Sequence, residues 1–143
     1  MPEAKPSNTP EPQSPPQRFV FVYGTLRRGD DNDINRLTPA PVFVGAAHIK
    51  ARMFHLGRYP GVLLGPALGD TDVLGEVYAI TPELERKLDE IEELYPQQTD
   101  EYFKRDIVVR VGTQTVPCIV YEINPAYVVG KPVIQSGDWV KDR

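Results

Sequence analysis

Cysteine is almost missing from this chain: Cys118 is the only one in 143 residues, so no internal disulfide can form, and a single thiol fits a reducing compartment. Long apolar runs are missing too. No stretch approaches the ~18 residues of a membrane helix, and the first residues lack the basic-then-apolar order of a secretory signal. No membrane partner is expected, and the cytoplasm is the expected location. Positive charge is scarce in the form that would matter for nucleic acid. The net charge is −4, and no basic run exceeds Arg27-Arg28, which excludes a phosphate-backbone footprint. Histidine is limited to His48 and His55, which lack the companion spacing of a metal site. Asp31-Asn32-Asp33-Ile34-Asn35 imitates the start of a calcium loop, but no glycine follows Asn35 and the closing acidic residue is absent, so helix capping explains it better.

Proline is abundant but unevenly placed. Pro2, Pro6, Pro10, Pro12, Pro15 and Pro16 crowd residues 1–17, where Met1 and Ala4 are the only apolar members. Such a segment cannot bury enough surface to offset its ordering entropy and reads as a flexible tail. Residues 18–143 remain, enough for one ordinary core and hardly for two.

Within 18–143 the pattern predicts strands at 18–23, 42–48, 51–56, 73–80, 104–111 and 115–122, rich in Val, Ile, Tyr and Phe. The last two flank Gly112-Thr113-Gln114 and should pair as a hairpin. The glycines and prolines between Leu56 and Val73 read as an irregular loop over a sheet edge or barrel mouth. One helix is expected from Thr81-Pro82-Glu83, with Thr as N-cap and Pro at the first helical position, to about Tyr95, ahead of Pro96. A short helical turn after Gly29, capped by Asp30, Asp31 or Asn32, is also expected. The fold class is α+β, on a curled mixed sheet.

Two features bear on chemistry. Tyr23-Gly24-Thr25-Leu26-Arg27-Arg28-Gly29 follows the strand-like Phe19-Val20-Phe21-Val22 and precedes a polar turn. A strand ending in such a turn presents backbone N–H groups, a common way to hold a small anion. The second feature is the acidic helix, which carries Glu83, Glu85, Asp89, Glu90, Glu92 and Glu93. Leu84, Leu88, Ile91 and Tyr95 make its apolar stripe. Glu92 and Glu85 both border that stripe, and geometry prefers Glu92 only modestly. Near the helix C-terminus the macrodipole disfavours a negative charge, which should raise the Glu92 pKa toward that of a group able to accept and donate protons. Cys118, with no nearby His, reads as a buried thiol rather than a nucleophile. Trp139 closes a pocket or seals the core, and the core is favoured.

Tyr23–Gly29 with Asn32, Gly75-Glu76-Val77-Tyr78, Leu88-Asp89-Glu90-Ile91-Glu92, Phe103-Lys104-Arg105, Val120-Tyr121 and Ser136-Gly137-Asp138-Trp139 together resemble the gamma-glutamylcyclotransferase-like superfamily, in its gamma-glutamylamine cyclotransferase (AIG2-like) branch. The resemblance covers nearly all of 18–143. It implies a small mixed β-barrel with flanking helices whose mouth takes a γ-glutamyl group and releases 5-oxoproline, without cofactor or metal. It also implies that main-chain N–H groups of Gly24, Thr25 and Leu26 hold the substrate α-carboxylate, that Tyr23 lines the site, and that Glu92 is catalytic. Tyr121 resembles a pocket-lining tyrosine of the family, although a strand tyrosine at the core or surface reads as well. The chain departs from the pattern where Glu93 stands in place of the usual glycine and where the segment Leu94–Tyr102 is longer than usual. Those departures leave a second reading in view, a γ-glutamyl or small-carboxylate binding module without turnover, and an amide hydrolase that would release glutamate is a third.

Overall fold

A computed structural model of the chain describes residues 18–65, 71–93 and 100–143, the side chains of Glu92 and Glu93 excepted. The expected tail at 1–17 and most of the lengthened segment before Arg105 lie outside the described residues. Strands β1 (Arg18–Val22), β2 (Val42–His55), β3 (Pro60–Leu64), β4 (Asp72–Ile80), β5 (Tyr102–Val111) and β6 (Gln114–Ile123) form one sheet in the order β3-β2-β4-β1-β6-β5. Every neighbouring pair is antiparallel except β1 with β6, so the sheet is mixed. Helix α1 (Pro82–Glu93) follows β4, and the short α2 (Trp139–Asp142) follows a turn after β6. No helix among the described residues is long and apolar enough to cross a membrane.

The strand β1 shows why the apolar run Phe19–Val22 is unbroken. It lies between β4 and β6 and is covered on both faces, as a strand with continuous hydrophobicity should be. Phe21 joins a core with Met53, Val62, Val77, Val109 and Val120, which draws on all six strands as the inside of a curled sheet must. Val20 and Val22 join a second core with Tyr78, Ile119, Leu84 and Leu88, between the sheet and α1. Thr81 caps α1 as expected, its hydroxyl oxygen accepting the Leu84 N–H at 3.1 Å.

Two expectations are corrected. The predicted strands at 42–48 and 51–56 are one strand, β2, which pairs with β4 through Lys50 and with β3 from Ala51 onward. A change of partner therefore looks like a break in the pattern. The loop expected between Leu56 and Val73 contains β3. Its opening Pro60 needs no ladder donor at a strand's first residue. Gly61 is required by packing rather than by a turn: a Cβ there would sit 2.7 Å from the Ile123 Cβ. Gly57 and Gly65, at φ 111° and 128°, are the true turn glycines of that stretch. The hairpin β5–β6 forms as expected, with Gly112 at φ 61° opening a two-residue turn.

The sheet curls into a half barrel whose far edges are bridged by side chains. The Tyr102 hydroxyl donates to the Pro60 carbonyl at 2.8 Å, and the Leu64 N–H donates to Glu122 Oε2 at 2.9 Å. This closure brings β3 against the loop that leaves β1.

Candidate functional site

The loop after β1 is organised by its backbone donors. Each N–H from Arg27 to Leu37 has an acceptor within the loop or on β4. Arg27 donates to the Gly24 carbonyl, Asn32 to that of Thr25 and Ile34 to that of Leu26, at 2.9–3.0 Å. Arg28 donates to Glu76 Oε1 at 3.0 Å and Gly29 to Asp33 Oδ2 at 2.8 Å. The N–H groups of Gly24, Thr25 and Leu26, three in succession, have no hydrogen-bond partner among the described residues. Gly24 and Leu26 are buried. A buried N–H without an acceptor costs roughly 1–3 kcal/mol, so the donors of Gly24 and Leu26, with that of half-buried Thr25 between them, leave room for an acceptor from outside the described residues.

Gly24 admits no side chain. A Cβ there would meet Pro60 Cγ at 2.7 Å, so the first residue of β3 closes directly over the loop. The short helical turn after Gly29 is a 3₁₀ turn at Ile34–Arg36, and its cap is Asp33 rather than Asp30, Asp31 or Asn32. Asp33 takes the Asn35 N–H at 2.9 Å and the Gly29 N–H as well. Burial acts to raise its pKa, but these donors outweigh it and hold the carboxyl below its ordinary value.

Tyr23 and Tyr121 meet behind the loop. Both are buried, and the Tyr23 hydroxyl donates to the Tyr121 carbonyl at 2.6 Å. The Tyr121 hydroxyl donates to Asp89 Oδ1 at 2.6 Å, which ties β6 to α1. Leu26, Tyr121, Leu84 and Leu88 share one buried cluster, so loop, sheet and helix converge at this end of the half barrel. Tyr23, Gly24, Thr25, Leu26 and Tyr121 are thus brought together, the tyrosines as walls whose hydroxyls are already engaged. Glu92 belongs to α1, one helical turn beyond Leu88, and its side chain lies outside the described residues.

Two described carboxylates of α1, Glu85 and Asp89, are occupied. Glu85 takes Arg18 Nε at 3.0 Å and Lys104 Nζ at 2.7 Å. Burial pushes its pKa up, yet Arg18 and Lys104 outweigh burial and hold it below the usual carboxylate value. Asp89 has Tyr121 on one oxygen and Lys104, at 2.9 Å, on the other.

Glu76, quoted above only as part of a motif and given no role there, anchors the loop. It pairs in register with Val22, where the loop begins, and accepts from the Arg28 N–H, Arg27 Nε and the Tyr78 hydroxyl. The signal was a carboxylate in the middle of an otherwise apolar strand. Of the residues set aside earlier, Cys118 is buried, and burial pushes its thiol up to about 12. Trp139 is core, with its ring centroid 5.0 Å from that of His55.

The sequence pattern of gamma-glutamyl cyclotransferase, AIG2-like proteins matches residues 20–141. The chain belongs to this family. A gamma-L-glutamyl-butirosin B gamma-glutamyl cyclotransferase of Niallia circulans is 36% identical over 88 residues, 60% of this chain and 53% of that protein, so the chain spans about half of that relative's length. A Vibrio cholerae protein, whose gamma-glutamylcyclotransferase name is itself provisional, is 31% identical over 125 residues, 86% of this chain and 96% of that one. Among solved structures, an AIG2-like protein from Mus musculus superposes with a TM-score of 0.68 at 26% identity, over 85% of this chain and 88% of that one. This gamma-glutamyl cyclotransferase family member therefore shares its half-barrel fold with that AIG2-like protein.

Proposed function

We propose that the chain is a gamma-glutamyl cyclotransferase that cyclises the γ-glutamyl group of a small amide or peptide to 5-oxoproline and releases the amine. The observation that carries this reading is the run of open N–H groups at Gly24, Thr25 and Leu26, inside a loop whose following donors are all satisfied. Three adjacent donors suit a carboxylate, and a γ-glutamyl compound offers one at its α-carbon.

The chemistry asks little else of the protein. The substrate contains its own nucleophile, the α-amine, already close to the γ-carbonyl carbon, so holding the chain folded supplies most of the proximity advantage. Glu92 accepts the proton lost by the α-ammonium. The amine nitrogen bonds to the γ-carbon, a tetrahedral oxyanion forms, and the bond to the leaving nitrogen breaks as Glu92 returns the proton to the departing amine, while the ring nitrogen loses its second proton to solvent and the freed amine takes one up from it. Backbone N–H groups near Gly24 are candidates to stabilise that oxyanion. Support for Glu92 comes from its place in the Leu88-Asp89-Glu90-Ile91-Glu92 pattern of the family resemblance and from its two rivals on the helix, since Glu85 and Asp89 are bound to cations and a hydroxyl. Tyr23 and Tyr121 act as pocket walls.

The relative named for gamma-L-glutamyl-butirosin B supports a γ-glutamyl amide as the substrate class and leaves the amine of this chain's own substrate open. Neither cofactor nor metal is invoked, the functional unit is residues 18–143, and the inert single thiol suits a cytoplasmic setting. The second reading, a γ-glutamyl binding module without turnover, is motivated by Glu93 next to Glu92. One experiment separates them: 5-oxoproline release from γ-glutamyl-ε-lysine, γ-glutamyl dipeptides and glutathione, comparing wild type with Glu92→Gln. Release by wild type and its loss in Glu92→Gln is the expected result. Equal activity in Glu92→Gln removes Glu92 from the mechanism, release of glutamate points to a hydrolase, and folded wild type without product favours the binding module.

A further inference from the structure

Three open donors side by side are an unstable arrangement. Their dipoles point positive ends at a common region, and the loop would relax toward available acceptors unless something else fixed it. The structure contains that something. Segment 136–143 crosses the back of β4 and grips the loop at two points beyond the open donors. Its seat is tight: the Leu74 N–H donates to the Gly137 carbonyl at 2.9 Å, and a Cβ on Gly137, at φ 69°, would lie 1.9 Å from the Asp72 carbonyl oxygen. From this seat Asp138 Oδ1 takes Arg27 Nη1 at 2.9 Å, while Glu76 takes the same guanidinium at Nε, 3.3 Å away. The next residue, Trp139, donates its indole N–H at 2.8 Å to Asp30 Oδ2, the buried carboxylate at the far end of the loop. Asp30 also takes the Asp31 N–H, Arg143 pairs with it, and its own carbonyl accepts Arg36 at 2.9 Å.

We propose that Asp138 and Trp139 are positioning residues for substrate binding: through Arg27 and Asp30 they brace the loop so that the Gly24, Thr25 and Leu26 N–H groups stay open for a carboxylate. This rests on the reading of that loop as the carboxylate site. Neither residue touches the ligand. Their effect falls on affinity, because a braced cradle needs no reorganisation when the ligand arrives. Ordinary core burial of Trp139 would be satisfied by any aromatic ring, whereas the brace requires the indole N–H. A helix cap at position 138 would be satisfied by Asn, whereas holding Arg27 requires the charge.

The test uses Asp138→Asn, which keeps the cap and loses the charge, and Trp139→Phe, which keeps a ring and loses the donor. Val109→Ala, a core position on β5, is the stability control. Measured for each are KM and kcat for whichever γ-glutamyl compound wild type turns over, the Kd for 5-oxoproline, and the NMR amide positions and exchange rates of residues 24–30. The expected result is a rise of roughly tenfold in KM and in Kd for the two brace variants, the size of one charge-assisted bond. Their kcat should stay within about twofold of wild type, and the Gly24–Leu26 amides should shift, while Val109→Ala lowers only the melting temperature. Wild-type KM, Kd and amide positions in folded Asp138→Asn and Trp139→Phe would overturn the proposal, as would a loss confined to kcat. Should wild type neither bind 5-oxoproline nor produce it, the carboxylate reading fails by itself, and the loop amides alone decide the brace: altered and faster-exchanging in the variants if it exists, unchanged if it does not.

Discussion

Arg18 and Lys104 determine what Glu85 can do. With a cation on each of its oxygens, at 3.0 and 2.7 Å, its carboxylate is held below the ordinary pKa and is a poor proton acceptor near neutrality. Lys104 in turn bridges Glu85 to Asp89, and Asp89 passes the connection on to the Tyr121 hydroxyl. This chain of contacts fastens α1 to β1, β5 and β6 and does no proton transfer of its own. Glu85→Gln is therefore expected to leave 5-oxoproline release within about threefold of wild type while lowering stability by about 1 kcal/mol, a small figure because solvent screens the Arg18 side of the pair. Chemical denaturation read beside the activity assay checks both halves; a collapse of turnover with stability intact would transfer the catalytic role from Glu92 to Glu85. The same logic explains why the apolar stripe of α1 alone ranked these carboxylates only weakly. Helical spacing tells which face a residue occupies, but the cations that claim Glu85 come from strands far away in sequence.

At the scale of elements, the contact between β3 and β6 is what turns an open sheet into a half barrel with a mouth. Gly61 permits it, since any Cβ would press on Ile123 from 2.7 Å. Gly61→Ala should cost about 1–3 kcal/mol through overpacking and move Pro60 away from Gly24, so a lowered unfolding midpoint should come with weakened binding of 5-oxoproline. A full-strength binding curve in a destabilised Gly61→Ala protein would show that the Pro60 closure is dispensable. This element also marks the limit of what the sequence could reveal. Segments with one partner and regular alternation, such as the β5–β6 hairpin or α1 with its Thr81 cap, were legible, because local propensity and tertiary packing ask for the same residues. β3 was not legible, because its Pro and Gly signal a turn locally and are required by contacts that only the folded sheet creates. A loop presenting backbone N–H groups was read from the strand-to-turn motif, and the choice of Gly24, Thr25 and Leu26 came from the family resemblance. Their supports at Glu76, Asp30 and Asp138 were not, since each is a polar residue whose partner is distant in sequence.

For the whole molecule, the perturbed groups define a pH window of stability that can be argued from their signs. Glu85 and Asp33 are lowered in the folded state from values of 4.5 and 3.8, so folding binds protons less well than the unfolded chain does. Their contribution is fully present above those unfolded values and is lost as pH falls through the lower folded ones. Tyr78 and Cys118 carry the opposite sign. Burial raises Tyr78 from 10.0 to about 12, with its hydroxyl donating to Glu76 at 2.8 Å, and raises Cys118 from 9.0 to about 12. Both are protonated in either state below the unfolded values of 9.0 and 10.0, where nothing is lost; as pH rises toward 12 the unfolded chain ionises first and stability drains away. Denaturant titrations across pH should thus give a plateau from about pH 5 to pH 9 with a fall on each side. The alkaline fall therefore begins with Cys118 in the core, from about pH 9, and Tyr78, which shares Glu76 with Arg27 and Arg28 beneath the loop after β1, adds to it from about pH 10. Tyr78→Phe should make the fall above about pH 10 shallower while leaving its onset and the acid edge where they are, and an unchanged fall there would assign the loss to Cys118 and to Lys104, where burial is outweighed by Glu85 and Asp89 and the pKa is raised from 10.5.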